Sequence, residues 1–257
     1  MMEYKINIKV TETHHKKFNE ECKNIDITNF RVNPLMKCIV QNCSKESGLI
    51  QYEYINNNFS DIMNKINYDL LIKYDSIGGN NINELINGLT PKTFSYIREA
   101  ILFYKYYIQP RNITHINKLL MIGSGYGFEC CIFYLICQAM GVKIDNIIGL
   151  DMPNVAKLQN QYFKLVDMDN ICKSYSYEEC KIIPDIVYSN CCLSELTCEI
   201  NYNYYNDYCK LSKGFYIVWG VWAAEVPEYY KQYVNNGEIY NLINDGLYNN
   251  PNTVIMK

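Results

Sequence analysis

Between residues 118 and 220 short apolar runs alternate with helical patterns, and the first run leads into a glycine turn, Gly123-Ser124-Gly125-Tyr126-Gly127. Lys118 to Ile122, Asn146 to Leu150, Ile171 to Tyr175, Asp185 to Ser189 and Phe215 to Gly220 read as five strands. Between them, Phe128 to Met140 is apolar nearly all round and predicts a deeply buried helix. Asn154 to Val166 is amphipathic, and Ser194 to Leu211 also reads as helical. Strands separated by helices require crossover connections, so the pattern predicts an α/β fold with a mostly parallel sheet and helices on both faces. Thr253 to Met256 is a candidate edge strand.

The chain before this region behaves differently. Up to about residue 60 it is polar with few periodic signals, and is expected to wrap the domain or stay partly loose. From Ser60 to Tyr74 the positions Ile62, Ile66, Leu70 and Leu71 recur at helical spacing, before Gly78-Gly79-Asn80-Asn81 breaks the chain. Thr90 is placed to cap the next helix, with Pro91 at its first position. That helix carries Phe94, Ile97, Ala100, Ile101 and Tyr104 on one face and is expected to end at Pro110. The division expected is an α-helical extension over 1–112, mainly helical from about 60, and an α/β domain over 113–257. No internal repeat is visible.

Composition excludes several classes. With 257 residues, 49% hydrophobic, 20% charged and a net charge of -3, the chain reads as a globular protein without a basic nucleic-acid-binding surface. Heavy use of Asn, Ile, Lys and Tyr reads as the bias of an AT-rich genome, compatible with a large DNA virus or a parasite. The most apolar stretch is shorter than a bilayer requires, and Met1 to Val10 lacks a signal-peptide core, so no membrane and a cytoplasmic location are expected (host cytoplasm if viral). The 12 cysteines include no Cys-x-x-Cys pair, and Cys130-Cys131 and Cys191-Cys192 sit in apolar runs, as buried reduced thiols do.

The chemistry begins at the glycine turn. Glycines between a buried strand and a helix let the backbone turn sharply and approach a ligand closely. A dinucleotide fingerprint would need glycine at 128, where Phe128 sits; the third glycine comes one residue earlier. Asp151 follows the second strand, twenty-four residues beyond Gly127. There its carboxylate can accept hydrogen bonds from both hydroxyls of a ribose; the competing role is capping the next helix.

These segments resemble the sugar O-methyltransferases of the class I S-adenosylmethionine-dependent methyltransferases. The similarity runs through Asp75-Ser76-Ile77-Gly78-Gly79-Asn80, Leu89-Thr90-Pro91-Lys92-Thr93-Phe94-Ser95-Tyr96-Ile97 and the Ile122 to Gly127 turn. It continues through Asp151-Met152-Pro153-Asn154-Val155 with Leu158-Gln159, then Ser189-Asn190 and Ser194-Glu195-Leu196, covering roughly 70 to 220 in order. One departure stands out: that class usually carries an acid two positions before the first glycine, and here the residue is Met121.

The resemblance implies a Rossmann-like methyltransferase fold, S-adenosylmethionine as cofactor, and a sugar or nucleotide-sugar substrate. It implies cofactor contacts at Gly123, Ser124, Gly125, Tyr126, Gly127, Asp151, Met152 and Asn190. A general base is expected after the fourth or fifth strand, first Glu195 and then Glu225; each also fits a helix start. Asn190 equally fits a turn. Thr93, Tyr96 and Trp222 are candidates for the substrate side, although most of 25 tyrosines must be packing residues. With three histidines, none at a strand end, no metal is expected. The Met121 departure keeps open a degenerate, non-catalytic binding protein, and another small-molecule acceptor or a nicotinamide oxidoreductase are further alternatives. A homo-oligomer is open.

Overall fold

The computed structural model describes residues 8–79, 84–220, 225–234 and 253–257, with side chains from 15 onward. Five N-terminal helices, α1 (Ile8–Cys22), α2 (Pro34–Ile39), α3 (Lys45–Met63), α4 (Tyr68–Asp75) and α5 (Pro91–Phe103), precede the sheet. They are followed by β1 (His115–Ile122), α6 (Phe128–Ala139), β2 (Lys143–Leu150), α7 (Pro153–Leu165), β3 (Cys172–Tyr175) and β4 (Ile186–Asn190). The remainder is α8 (Cys192–Glu195), α9 (Cys198–Tyr204), β5 (Gly214–Trp219), α10 (Glu228–Lys231) and β6 (Thr253–Met256).

The six strands form one sheet in the order β3-β2-β1-β4-β5-β6. Neighbours from β3 to β5 are parallel, and β6 runs antiparallel to β5 at the edge. The expected α/β, Rossmann-like architecture is therefore present, with an α-helical N-terminal extension. The order reverses at β1, which pairs with β2 on one side and β4 on the other, so a crevice opens beyond the carboxyl ends of these strands. Apolar residues fall on both faces of β1. Leu119 and Met121 join the core under α5, α6 and α7; Leu120 and Ile122 join a second core with Tyr205, Tyr208 and Tyr230. Burial on both faces is why the strands read as continuous apolar runs.

The extension differs from expectation. Among the described residues up to 60 three α-helices are present or begun, because buried Phe18, Phe30, Met36 and Ile55 join the same core as the sheet face. These anchors are too widely spaced in a polar chain to give a periodic signal. The single helix expected over 60–74 is two: α3 ends at Met63, and the Asn67 side chain caps α4 by accepting from Leu70 N at 3.1 Å. Pro110 does not end α5. The chain continues through a π-helical turn (Tyr104–Ile108) and a 3-10 turn (Gln109–Arg111) to Asn112 at φ +52°. The long helix expected over 194–211 is divided into α8, α9 and a π turn at 205–209, since Leu196 is extended and Thr197 opens a fresh cap.

A buried ion pair ties the extension to the glycine turn. Arg31 Nη1 donates to Asp75 Oδ1 at 2.5 Å, and Thr90 donates to the same carboxylate through its N–H and hydroxyl. Thr90 heads α5 without capping it by its side chain, the hydroxyl being spent on Asp75 and Thr93. The Arg31 guanidinium lies 4.7 Å from the Tyr126 ring centroid. Arg31 thus joins Asp75 and Thr90 to Tyr126 in one buried brace beneath the turn.

Candidate functional site

A cavity of about 440 Å³ lies at the switch point, walled by the ends of β1, β2 and β4 and roofed by α1 and α5. Its floor is the glycine turn. Gly123 has φ +76° and Gly125 φ +60°, backbone conformations that L side chains rarely adopt. A Cβ at Gly123 would stand 2.4 Å from that of Cys192, and one at Gly125 would stand 2.8 Å from Val40. Both glycines line the cavity. Ser124, Tyr126 and Gly127 do not. Tyr126 is packed against Phe30 and Tyr162 in the core, and Gly127 (φ +103°) faces Phe163, so these residues shape the turn from behind.

Asp151 stands at the β2 end of the cavity beside Met152. The helix cap that follows is Met152, so Asp151 does not fill the capping role. Instead Oδ1 accepts from Met152 N at 2.9 Å and Oδ2 accepts from Gln159 Nε2 at 3.0 Å. The same Gln159 nitrogen donates to Gly125 O at 2.7 Å, locking carboxylate and turn together. Burial pushes the Asp151 carboxyl up to about 7, against the hydrogen bonds from Met152 and Gln159.

At the β4 end, Asn190 lines the cavity and its Nδ2 donates to Glu129 Oε1 at 3.5 Å. Cys191 follows at φ +62°, turning the chain into α8. Glu195 ends that short helix and does not begin one: Ser194 donates to Cys191 O and accepts from Gly220 N, while Thr197 caps α9. Glu195 faces the cavity, where Oε2 lies 3.5 Å from His15 Nε2. Glu225 is exposed and is not part of this wall.

On the roof, Tyr96 lines the cavity with its hydroxyl toward Gly125, and burial raises its pKa well above the usual tyrosine range. Thr93 is buried one turn away, its hydroxyl 2.9 Å from that of Thr90. Trp222 lies outside the described residues.

Several cavity residues were not anticipated. His15 and Lys16 arrive from α1, which is docked by two hydrogen bonds between Asn19 and Asn154. Lys92, Arg98 and Glu99 come from α5, with Arg98 Nη2 2.6 Å from Glu99 Oε1. Glu129, in the first turn of α6, is the least visible of them, since an acid there reads as a partner of the helix dipole. Met121, by contrast, is buried on the α6 face of the sheet and does not reach the cavity. Among the described residues no cluster of His, Cys, Asp or Glu could hold a metal ion, all 12 cysteines are free, and no helix is long and apolar enough to cross a membrane.

No family model matches this chain, and no curated protein matches it. Solved structures do. The mitomycin 7-O-methyltransferase MmcR is similar at 13% identity and TM-score 0.39, over 53% of this chain and 39% of that one. A Thermoplasma acidophilum protein matches at 14% identity and TM-score 0.38, over 60% of this chain and 70% of that one. The N-terminal domain of EvdMO1, crystallised in the presence of SAH and D-fucose, matches at 15% identity and TM-score 0.36, over 48% of this chain and 49% of that one. This chain therefore spans less than half the length of the first and third.

Proposed function

We propose that the chain is an S-adenosylmethionine-dependent O-methyltransferase acting on a hydroxyl of a sugar, nucleotide sugar or similar small molecule. The observation that carries this reading is the cavity at the switch point, where a left-handed glycine turn and Asp151 share one Gln159 nitrogen. The cofactor fit rests on chemistry: Gly123 and Gly125 leave no room for a Cβ yet face open space, and Asp151 offers a half-buried carboxylate suited to a ribose diol. In this reading the chain divides into an extension over 1–112, whose α1 and α5 roof the cavity, and a domain over 113–257 that holds the cofactor.

Bound there, S-adenosylmethionine would supply a methyl group activated by its positive sulfur, which departs with the S–C electron pair as a neutral thioether. The protein's task is then to align the acceptor oxygen, exclude water and take up one proton. Alignment can contribute about 7–11 kcal/mol to lowering the barrier. Glu195 would accept the hydroxyl proton as the C–O bond forms, and the His15 imidazole, 3.5 Å from it, would hold the carboxylate in position. Asn42, Ser95, Tyr96 and Lys16 line the same space and suit an acceptor rich in hydroxyls.

The reading is tested by isothermal calorimetry with S-adenosylhomocysteine, the demethylated product. Saturable micromolar binding accompanied by a rise in melting temperature is expected. Absence of both overturns it.

A further inference from the structure

Among the described residues Glu129 is the one acid of the cavity wall that has neither an ion pair nor a short hydrogen bond. It is 3% exposed, yet it lines the cavity. Its two hydrogen bonds, from Tyr188 Oη at 3.4 Å and Asn190 Nδ2 at 3.5 Å, are long and fall on the same oxygen, Oε1. Among the described residues Oε2 has no hydrogen-bond partner and the carboxylate makes no ion pair. The neighbouring acid differs: Glu99 is held by Arg98 at 2.6 Å. Lys92 is near enough to favour the ionised form, but its ammonium donates to Asn42. Burying a carboxylate without a partner is costly, so its retention calls for an explanation, and a ligand cation entering the cavity supplies one.

Position narrows the ligand group. Asp151 stands at the end of β2 and Glu129 beside the end of β4, with β1 between them. Two strand spacings separate the acids by roughly 10 Å. On the proposed function, on which this inference rests, a ligand with its ribose diol at Asp151 runs across the glycine turn and brings its amino-acid end to Glu129.

We propose that Glu129 binds the α-ammonium of the cofactor's amino-acid moiety through Oε2, with Asn190 and Tyr188 orienting the carboxylate through Oε1. The carboxylate that the sequence does not offer at Met121 is thus supplied from the first turn of α6, eight residues later. Charge-assisted hydrogen bonds of this kind are short and strong in a dry site.

The test compares two ligands on wild type and Glu129→Gln by calorimetry. S-adenosylhomocysteine carries the ammonium; 5′-methylthioadenosine shares the adenosyl thioether and lacks it. Glu129→Gln should weaken S-adenosylhomocysteine about 10–100-fold and leave methylthioadenosine within about twofold, the latter doubling as a check that the site is folded. Equal weakening of S-adenosylhomocysteine and methylthioadenosine, or none of either, overturns the proposal. So does weakening of S-adenosylmethionine alone, which would assign Glu129 to the sulfonium. Should the variant lose both ligands by misfolding, the wild type decides. It should discriminate about tenfold or more against the homocysteine analogue lacking only its amino group, and equal affinities overturn the proposal. Failure of wild type to bind any of these ligands removes the functional reading itself, an outcome distinct from all the others.

Discussion

A residue kept in an uncompensated state for a ligand should cost the ligand-free protein stability, and Glu129→Gln measures that cost. Burial pushes the Glu129 carboxyl from 4.5 up to about 7, outweighing the help of Lys92 and Asn190. Because the folded value lies above the unfolded one, the folded state binds more protons between these limits, and stability falls as pH rises through them. Below about 4.5 both states are protonated and the penalty vanishes; above about 7 it is complete. The rise from 4.5 to about 7 corresponds to about 3 kcal/mol at roughly 1.4 kcal/mol per pH step. Glutamine keeps the shape and the acceptor for Asn190 while removing the charge. Without ligand, Glu129→Gln should therefore be more stable than wild type at pH 8 by about 3 kcal/mol, or roughly 6–12 °C in Tm for a chain of this size. At pH 4.5 the two proteins should melt together. Saturating S-adenosylhomocysteine should reverse the order at pH 8, since only wild type gains the ammonium contact. Thermal unfolding across pH, with and without ligand, reads all three. Equal melting at pH 8, or a gap that does not change with pH, refutes the reasoning.

Glu195→Gln should lower kcat about 10²–10⁴-fold while leaving S-adenosylhomocysteine affinity within about twofold, checked by steady-state turnover and calorimetry. For Asp151, ionised only above about 7 in the ligand-free protein, affinity for S-adenosylhomocysteine should fall as pH drops below that value. The residue is confirmed in this role if Asp151→Asn loses the preference for the ribose diol over a 2′,3′-dideoxy analogue. Gly123→Ala places a Cβ 2.4 Å from Cys192 at φ +76° and should cost about 2 kcal/mol by chemical denaturation, with ligand binding lost first. Tyr126→Phe should leave ligand affinity unchanged within about twofold, because that ring faces Arg31 and Tyr162 in the core.

The features legible in the sequence are those whose cause is local. The strands announced themselves because both faces of β1 and β5 are buried, and the turn did so because positive φ at 123 and 125 demands glycine. Asp151 and Asn190 could be placed because the first directly follows β2 and the second ends β4. Position along the chain says much less about side-chain direction: Tyr126 lies between two cavity-lining segments and points the other way, into the ring of Arg31, Phe30 and Tyr162. Residues supplied from a distance were illegible for another reason. His15 meets Glu195 only because Asn19 docks α1 on the start of α7, a pairing that no periodicity encodes. Glu129 presents a third case, in which the local signal was present and pointed elsewhere. An acid at the head of a helix satisfies the dipole whether or not it does anything more. Only the sheet order, which sets β4 beside β1 and brings Asn190 against that carboxylate, turns an ordinary helix-start residue into a wall of the cavity. The same topology accounts for the apolar residue at 121, since Met121 lies on the α6 face of the sheet and does not line the cavity. A carboxylate at 121 would face the α6 core, whereas the one at 129, at the helix end, faces the cavity.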